Sequence, residues 1–382
     1  MKNKLIIACA GSGKTTHLVR KAHSIDDENV LITTFTEANR DGIESKFIEE
    51  FGSVPSNVTI QTLVSFLLEH GVRPYQGAMD DCLFDVSIGY HLVEGVSGNY
   101  KGADGKTYSY GEKSNFIKYY FSTKNGLKIY SDKLSKFVVK VNEKMDGEVI
   151  KRITSIYPNI FVDEVQDLAS WDLDLIKLLL SSKSNIILVG DPRQGTYATN
   201  NASKSKKYRK SQIVHFFEDV KKIKAELEID KSSLITNHRS CEQICRFSNK
   251  LYPTWLQSKS GRKEKFQTDG VFVVREKDID HYLAQIKSCM QLRDRINKKV
   301  RDGLPVMTFG KSKGLAFENV LIYPTMPIIG WLKNNNSDLA PTSRSKFYVA
   351  LTRARSSVGI VYNFKDNEQL IGIEKYYPNS LW

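Results

Sequence analysis

Eight residues near the start constrain this chain more than any other stretch: Ala8-Cys9-Ala10-Gly11-Ser12-Gly13-Lys14-Thr15. They follow the apolar run Leu5-Ile6-Ile7 and precede a helical pattern. Glycines at 11 and 13 permit a turn tight enough to aim several backbone N–H groups at phosphate oxygens. The positive end of the following helix adds to that attraction. The reading predicts a phosphate-binding loop in which Ala10, Gly11, Ser12, Gly13, Lys14, Thr15 and Thr16 hold a nucleotide. Lys14 reaches the outer phosphates and Thr15 ligates magnesium. Ala8 stands where the general pattern has its first glycine, and a chance glycine turn is the alternative. The flanking strand and helix argue against chance.

A second acidic site is expected if the first is real. Asn159-Ile160-Phe161-Val162 reads as a short buried strand that ends at Asp163-Glu164, with Gln166-Asp167 just beyond. Asp163 is the expected magnesium ligand, and Glu164 can polarise an attacking water near the terminal phosphate. The alternative is an acidic strand end facing solvent.

The surrounding 382 residues suffice for two or three domains, and 41% hydrophobic content supports full cores. Lysine and arginine outnumber aspartate and glutamate by 56 to 43, a formal charge of +13. Such a balance favours a polyanion, nucleic acid first. Five cysteines, an odd number with one inside the phosphate loop, indicate a reducing compartment. Cys241 and Cys245 could share a helix face, but no second pair completes a zinc site, and they read as packing residues. The opening Met-Lys-Asn-Lys runs into a core strand without room for a signal peptide, and no apolar stretch is long enough to span a bilayer. A cytoplasmic protein without a membrane partner is expected.

Short apolar runs alternate with helical patterns. Strands are expected at Leu5–Ala8, Val30–Thr34, Val58–Gln61, Ile160–Asp163 and Ile186–Val189, and this alternation predicts a parallel sheet covered by helices. After Asp230 a second set is expected: Ser232–Ile235, Gly270–Val274, Val306–Phe309, Val320–Tyr323 and Gly359–Tyr362. Between them, from Glu69 to about Glu148, clusters of glycine, tyrosine and lysine read as an inserted domain.

The motifs then line up in order. The phosphate loop, Thr34-Phe35-Thr36, Thr59-Ile60-Gln61-Thr62, Val162-Asp163-Glu164-Val165-Gln166-Asp167 and Val189-Gly190-Asp191-Pro192-Arg193-Gln194 resemble the first-core motifs of superfamily 1 helicases of the UvrD and Rep type. The second half resembles the same family at Asn237-His238-Arg239-Ser240, at Thr308 through Lys313-Gly314-Leu315 to Phe317, and at Tyr348 to Arg355. The resemblance implies an α/β fold of two RecA-like parallel-sheet P-loop domains clasping ATP in the cleft between them, with an inserted, mostly helical domain in the first. The implied division is 1–68 and 148–229 for the first core, 69–147 for the 1B-like insert and 230–382 for the second core. Only about sixty-five residues separate Ser240 from Val306, so the large 2B subdomain of longer relatives is expected to be absent or vestigial.

By the same resemblance, Glu164, Gln194, Arg239 and Arg353 are catalytic, the two arginines supplying cations to the charge that develops on the terminal phosphate. Gln194 reports hydrolysis. Phe35, Thr36, Thr62, Tyr197 and Lys313 contact a single strand, the aromatic pair by stacking on bases, with core packing as their alternative reading. The basic run Lys204, Lys206, Lys207, Arg209 and Lys210 and the mix Phe116, Lys118, Tyr119, Tyr120, Phe121 and Lys124 are further nucleic-acid candidates.

Departures from the family pattern are specific. The chain starts seven residues before Ala8, where longer members carry an adenine-reading glutamine. Thr199 and Asn200 replace a tryptophan and an arginine, Ala316 replaces a glutamate, and Gly310 replaces a histidine, with Glu318 two residues beyond Ala316. The implied activity is magnesium-dependent ATP hydrolysis driving 3′ to 5′ movement on single-stranded or tailed duplex DNA. A DNA-activated ATPase without unwinding and a regulatory subunit of a nuclease complex are the alternatives. Short chains of this kind also resemble the helicase subunit of the Gabija anti-phage system, which implies an OLD-type (overcoming-lysogenisation) nuclease partner.

Overall fold

The computed structural model describes residues 3–196, 199, 204–223, 226–286, 288–334 and 338–378. They form two compact units. One comprises Met1–Ile6, Thr15–Gly190 and Ala198–Asp230; the other comprises Ile7–Lys14, Asp191–Tyr197 and Lys231–Trp382. The phosphate-loop motif and the Asp191-Pro192-Arg193-Gln194 turn therefore belong by their contacts with the second unit.

The first unit is built on a six-stranded sheet: β1 (Asn3–Ile7), β2 (Val30–Thr34), β3 (Val58–Thr62), β4 (Asn159–Val162), β5 (Asn185–Gly190) and β6 (Leu227–Asp230), in the order β6-β1-β5-β4-β2-β3. Pairing is parallel between β6 and β1, β5 and β4, β4 and β2, and β2 and β3. Strands covered on both faces lose the alternation of a half-exposed sheet, and β2, β4 and β5 are buried at every position. Two helices cover sequence expected to be helical: α1 (Lys14–His23), which buries Leu18, Val19 and Ala22, and α2 (Glu37–Phe51), which buries Ile43 and Phe47. The latter is closed by Gly52 at φ 81°, whose N–H bonds Ile48 O.

The inserted segment combines helices, chiefly Leu134–Lys144, with small sheets. Gly89–His91 pairs in parallel with Lys128–Tyr130, which pairs antiparallel with Phe121–Ser122. A separate antiparallel hairpin joins Asn99–Lys101 to Thr107–Ser109.

The second unit carries an all-parallel six-stranded sheet: β7 (Gly270–Val274), β8 (Cys289–Arg293), β9 (Val306–Thr308), β10 (Phe317–Tyr323), β11 (Ala354–Val361) and β12 (Glu374–Lys375), in the order β9-β8-β10-β11-β7-β12. Phe247, Trp331, Phe347, Ile322 and Ile360 are among its core residues.

Two expectations change. Ser232–Ile235 is not a strand. Its carbonyls turn to other partners: Leu234 O accepts from Cys9 N at 2.8 Å, and Ile235 O from Lys259 N at 3.3 Å. The neighbouring strand is Thr236–Asn237, paired with Lys259–Ser260. Conversely, β8 has no counterpart in the sequence reading. Its apolar run is interrupted by Gln291, which is fully buried and satisfied by Tyr323 Oη at 2.8 Å and by Arg301 N and O at 3.1 and 2.8 Å. No helix among the described residues is long and apolar enough to cross a membrane.

Candidate nucleotide site

The glycines of the first motif do what its sequence requires of them. Gly11 and Gly13 take φ of 70° and 80°, the left-handed region in which only glycine is unstrained. At Gly11 space imposes the same choice, because a Cβ there would lie 2.3 Å from Asn237 Oδ1 and 2.8 Å from Arg239 Cβ. The loop is pinned by its backbone: His238 N donates to Gly11 O at 2.9 Å, and Arg193 donates from Nη2 to Ala8 O at 2.8 Å. Ser12 Oγ donates to Cys9 O at 2.9 Å. Ala10 is buried, and Thr15 and Thr16 lie half-buried in the first turn of α1. The Lys14 side chain, half-buried at the start of α1, makes no hydrogen bond or ion pair among the described residues. Cys9 is buried, and burial pushes its thiol up to about 11, so it packs as a neutral group.

Asn237 organises the residues beside this loop. Its Oδ1 accepts from Arg239 N at 2.8 Å and from Ser240 N at 3.0 Å. Arg239 donates from Nη1 to Thr352 O at 3.2 Å and meets no carboxylate among the described residues. Its pKa is lowered, first by desolvation and then by the charge of Arg355. Arg239 lines a cavity of about 830 Å³ together with His238, Arg262, Phe266, Glu318 and Arg355. Two guanidiniums that repel each other across a cavity are stabilised by an anion.

Gln194 and Arg353 are brought together. Gln194 Oε1 accepts from Arg353 Nη2 at 3.0 Å, while its Nε2 donates to Asp191 Oδ2 at 2.9 Å. Arg353 is almost fully buried, and Nε and Nη1 are held by the carbonyls of Val349 and Leu315 at 3.1 and 3.0 Å. The other oxygen of Asp191 takes Arg193 Nε at 2.8 Å. Burial opposes the charge on Arg193, but Asp191 more than offsets it and the pKa is raised. The sequence reading gave Arg193 and His238 no role beyond their motifs. Only the fold reveals that Arg193 Nη2 and His238 N each tie the phosphate loop to another element.

In the first unit, Asp163 and Glu164 follow β4. Asp163 is buried and its N–H bonds Thr33 O at 2.9 Å, which fixes the strand end. Glu164 is not glycine, yet it takes φ 56°, ψ 39°, the left-handed conformation. Such strain persists where surrounding structure imposes it and is frequent at functional sites. Asp163 Oδ1 accepts from Glu164 N at 2.9 Å, and Gln166 Nε2 bonds Glu164 Oε2. Gly190, at the end of β5, leaves room for Gln166 Oε1, which would lie 2.3 Å from a Cβ. The Asp163 carboxylate and the Thr15 hydroxyl are the hard oxygen donors that magnesium prefers, and the buried hydroxyls of Thr33 and Thr34 have no partner among the described residues. The residues present fit that ion.

The expected nucleic-acid residues divide. Phe35 is half-exposed at the end of β2 rather than packed in the core, and Lys313 is half-exposed as well. The hydroxyls of Thr36 and Thr62 are occupied as helix caps, accepting from Asn39 N at 3.2 Å and Ser65 N at 3.1 Å. Tyr197 and Asn200 lie outside the described residues. In the basic run, Lys204 is engaged internally, 2.7 Å from Asp174 and 3.4 Å above the Trp171 ring. The aromatic mix in the insert is mainly structural: Tyr120 and Phe121 are buried and, with Phe116, cluster on Phe137. The described residues hold no cluster of three or more metal-ligating side chains, and Cys241 and Cys245 are buried, as packing residues should be.

Comparison with known proteins points to helicases. Residues 105–362 match the family described as the viral superfamily 1 RNA helicase core domain, and residues 1–200 match an AAA domain family. The Gabija protein GajB of Bacillus cereus (strain VD045) is 27% identical over 286 residues, 72% of this chain and 51% of GajB. The RecBCD enzyme subunit RecB of Borreliella burgdorferi (strain ATCC 35210 / DSM 4680 / CIP 102532 / B31) is 28% identical over 108 residues, 28% of this chain and 8% of RecB. The matched part of the chain thus spans about half of GajB and a small fraction of RecB. Among solved structures, the arterivirus nonstructural protein 10 helicase aligns at 15% identity and TM-score 0.44, covering 95% of this chain and 60% of that one. Its complex with DNA aligns at 15% identity and 0.45, covering 95% and 62%. With a helicase core matched over more than half its length, this chain belongs to the superfamily 1 helicases.

Proposed function

We propose that this protein is a magnesium-dependent ATPase of the UvrD and Rep type that moves 3′ to 5′ on single-stranded DNA and separates tailed duplexes. Arg239 carries the reading: a desolvated guanidinium beside Gly11 of the phosphate loop, repelled by Arg355 and without a carboxylate partner among the described residues, suits an anion that arrives with the substrate. Ala10 to Thr16 hold the ATP phosphates, with Lys14 on the outermost ones. Thr15 and Asp163 hold magnesium, which when bound neutralises charge on the phosphate oxygens. Glu164 accepts the proton of the attacking water. Arg239 and Arg353 steady charge on the terminal phosphate. Because Gln194 is bonded both to Asp191 and to Arg353, loss of that phosphate can be felt along a hydrogen-bonded path. Phe35, Thr36, Thr62, Tyr197 and Lys313 form the track for the strand. The domain division is that implied by the motifs, with the 2B subdomain absent or vestigial.

The similarity to GajB supports a second reading, that the chain serves anti-phage defence beside an OLD-type nuclease and hydrolyses ATP without unwinding by itself. The test is ATP turnover by the purified chain with and without single-stranded DNA, with Lys14→Ala as control. Stimulated turnover that the variant loses at least about 100-fold is expected. A folded wild-type chain that binds ATP but does not turn over with DNA would overturn the independent motor and favour the partnered form.

A further inference from the structure

The hairpin of the insert presents its aromatic residues to solvent. Tyr100 and Tyr108 stand directly opposite each other across its two strands, and Tyr110 follows on the same face. Their rings form a ladder: Tyr100 lies 5.9 Å from Tyr108 and 4.9 Å from Tyr110, at interplanar angles of 31° and 33°. Tyr100 and Tyr108 remain 45% and 43% exposed. A two-stranded hairpin has no core to hide such rings, and three together on one face need a purpose beyond packing. The platform is anchored rather than loose. Gly98 at φ 67° sits so close to the insert that a Cβ would lie 2.6 Å from Tyr119 O, and Gly98 O accepts from Tyr110 N at 2.8 Å. Tyr108 Oη donates to Asp104 Oδ2 at 2.7 Å, which fixes the outer ring.

Charge completes the picture. Lys101, Lys106, Lys113 and Lys118 lie on the hairpin and the segment that follows it and are exposed. The carboxylates of the same segment are occupied: Asp104 by Tyr108 and Lys106, and Glu112 by Lys136 and Tyr120. Lys101, Lys113 and Lys118 form no ion pair among the described residues, and Lys118 Nζ lies 5.5 Å from the Tyr110 ring centre. Exposed ring faces beside an ammonium group fit unpaired bases joined by phosphates.

We infer that the Tyr100–Tyr108–Tyr110 face is a stacking site for single-stranded DNA, separate from the motif residues of either core. Its use as part of the track rests on the motor reading above, whereas its existence is measured by binding alone. The experiment is fluorescence anisotropy of the full chain with a labelled 20-nucleotide thymidine strand, and with an abasic strand of equal length, without ATP. Wild type should prefer the base-bearing strand by at least about 10-fold, and Tyr100→Ala/Tyr108→Ala should reduce that preference severalfold, down to what Phe35 and Tyr197 contribute. Tyr100→Phe/Tyr108→Phe should retain it, since stacking needs the ring and not the hydroxyl. Circular dichroism and thermal melting confirm that each variant is folded. Equal wild-type affinity for both strands, an alanine variant with wild-type preference, or tighter binding of a uridine RNA strand would each overturn the assignment. Loss of DNA-stimulated turnover with stacking intact would instead count against the motor reading only.

Discussion

Glu164 shows how much one residue can hold. Its left-handed backbone is strained for a non-glycine residue, and its carboxylate is bonded by Gln166, so its orientation is imposed rather than chosen. Glu164→Gln should retain nucleotide affinity while kcat falls at least about 100-fold, checked by equilibrium nucleotide binding and steady-state hydrolysis. Turnover within a few-fold of wild type would remove Glu164 from the role of base. Arg193 answers to stability instead. Its pair with Asp191 is buried and its Nη2 holds Ala8 O. Arg193→Met leaves the Asp191 carboxylate without its cation and should cost about 3–5 kcal/mol in urea denaturation. A loss below about 1 kcal/mol would show that the pair contributes little. The two residues were not equally legible. Adjacent carboxylates after an apolar strand announce chemistry, whereas an arginine two residues past an aspartate looks like any surface pair until the fold buries it.

At the scale of elements, the wide helical turn Leu67–Val72 after β3 buries His70 against Tyr157 and Phe66, with ring centres at 5.4 and 5.6 Å. Burial lowers the pKa of His70, partly opposed by Glu69 and reinforced by Arg152. The sign follows. Above the unfolded value of about 6.5 both states are neutral and its contribution to stability is complete; as pH falls through 6.5 the unfolded chain takes up the proton first, and stability is lost down to the folded pKa. His17, likewise lowered by burial, acts in the same direction. The urea midpoint should therefore drop between about pH 7.5 and 5.5, and less so in His70→Gln. An identical drop in that variant would assign the effect elsewhere. Element identity was well marked in the sequence wherever strands are continuous apolar runs, as in β2 and β5. It was hidden in β8, where Gln291 breaks the run and is satisfied by residues ten, thirteen and thirty-two positions away.

For the whole molecule, a formal charge of +13 predicts binding to single-stranded DNA that weakens steeply with salt. If about five phosphates are neutralised, log affinity should fall against log salt with a slope of about −3.5. A slope near zero between 50 and 200 mM would exclude a phosphate-tracking surface of that size. The sequence by itself determined the order of motifs and the parallel α/β class, because glycine turns, strand-end carboxylates and buried apolar runs are local features that short segments must carry. Tertiary structure alone decided the rest. It turned Leu234 and Ile235 away from a sheet to bond Cys9 and Lys259, gathered Asn237 and Arg239 beside Gly11, and linked Gln194 to Arg353, 159 residues away in sequence. It also buried one set of insert aromatics around Phe137 while leaving Tyr100 and Tyr108 in solvent. Both sets are aromatic. What separates them is whether a second layer exists to cover the face on which they stand.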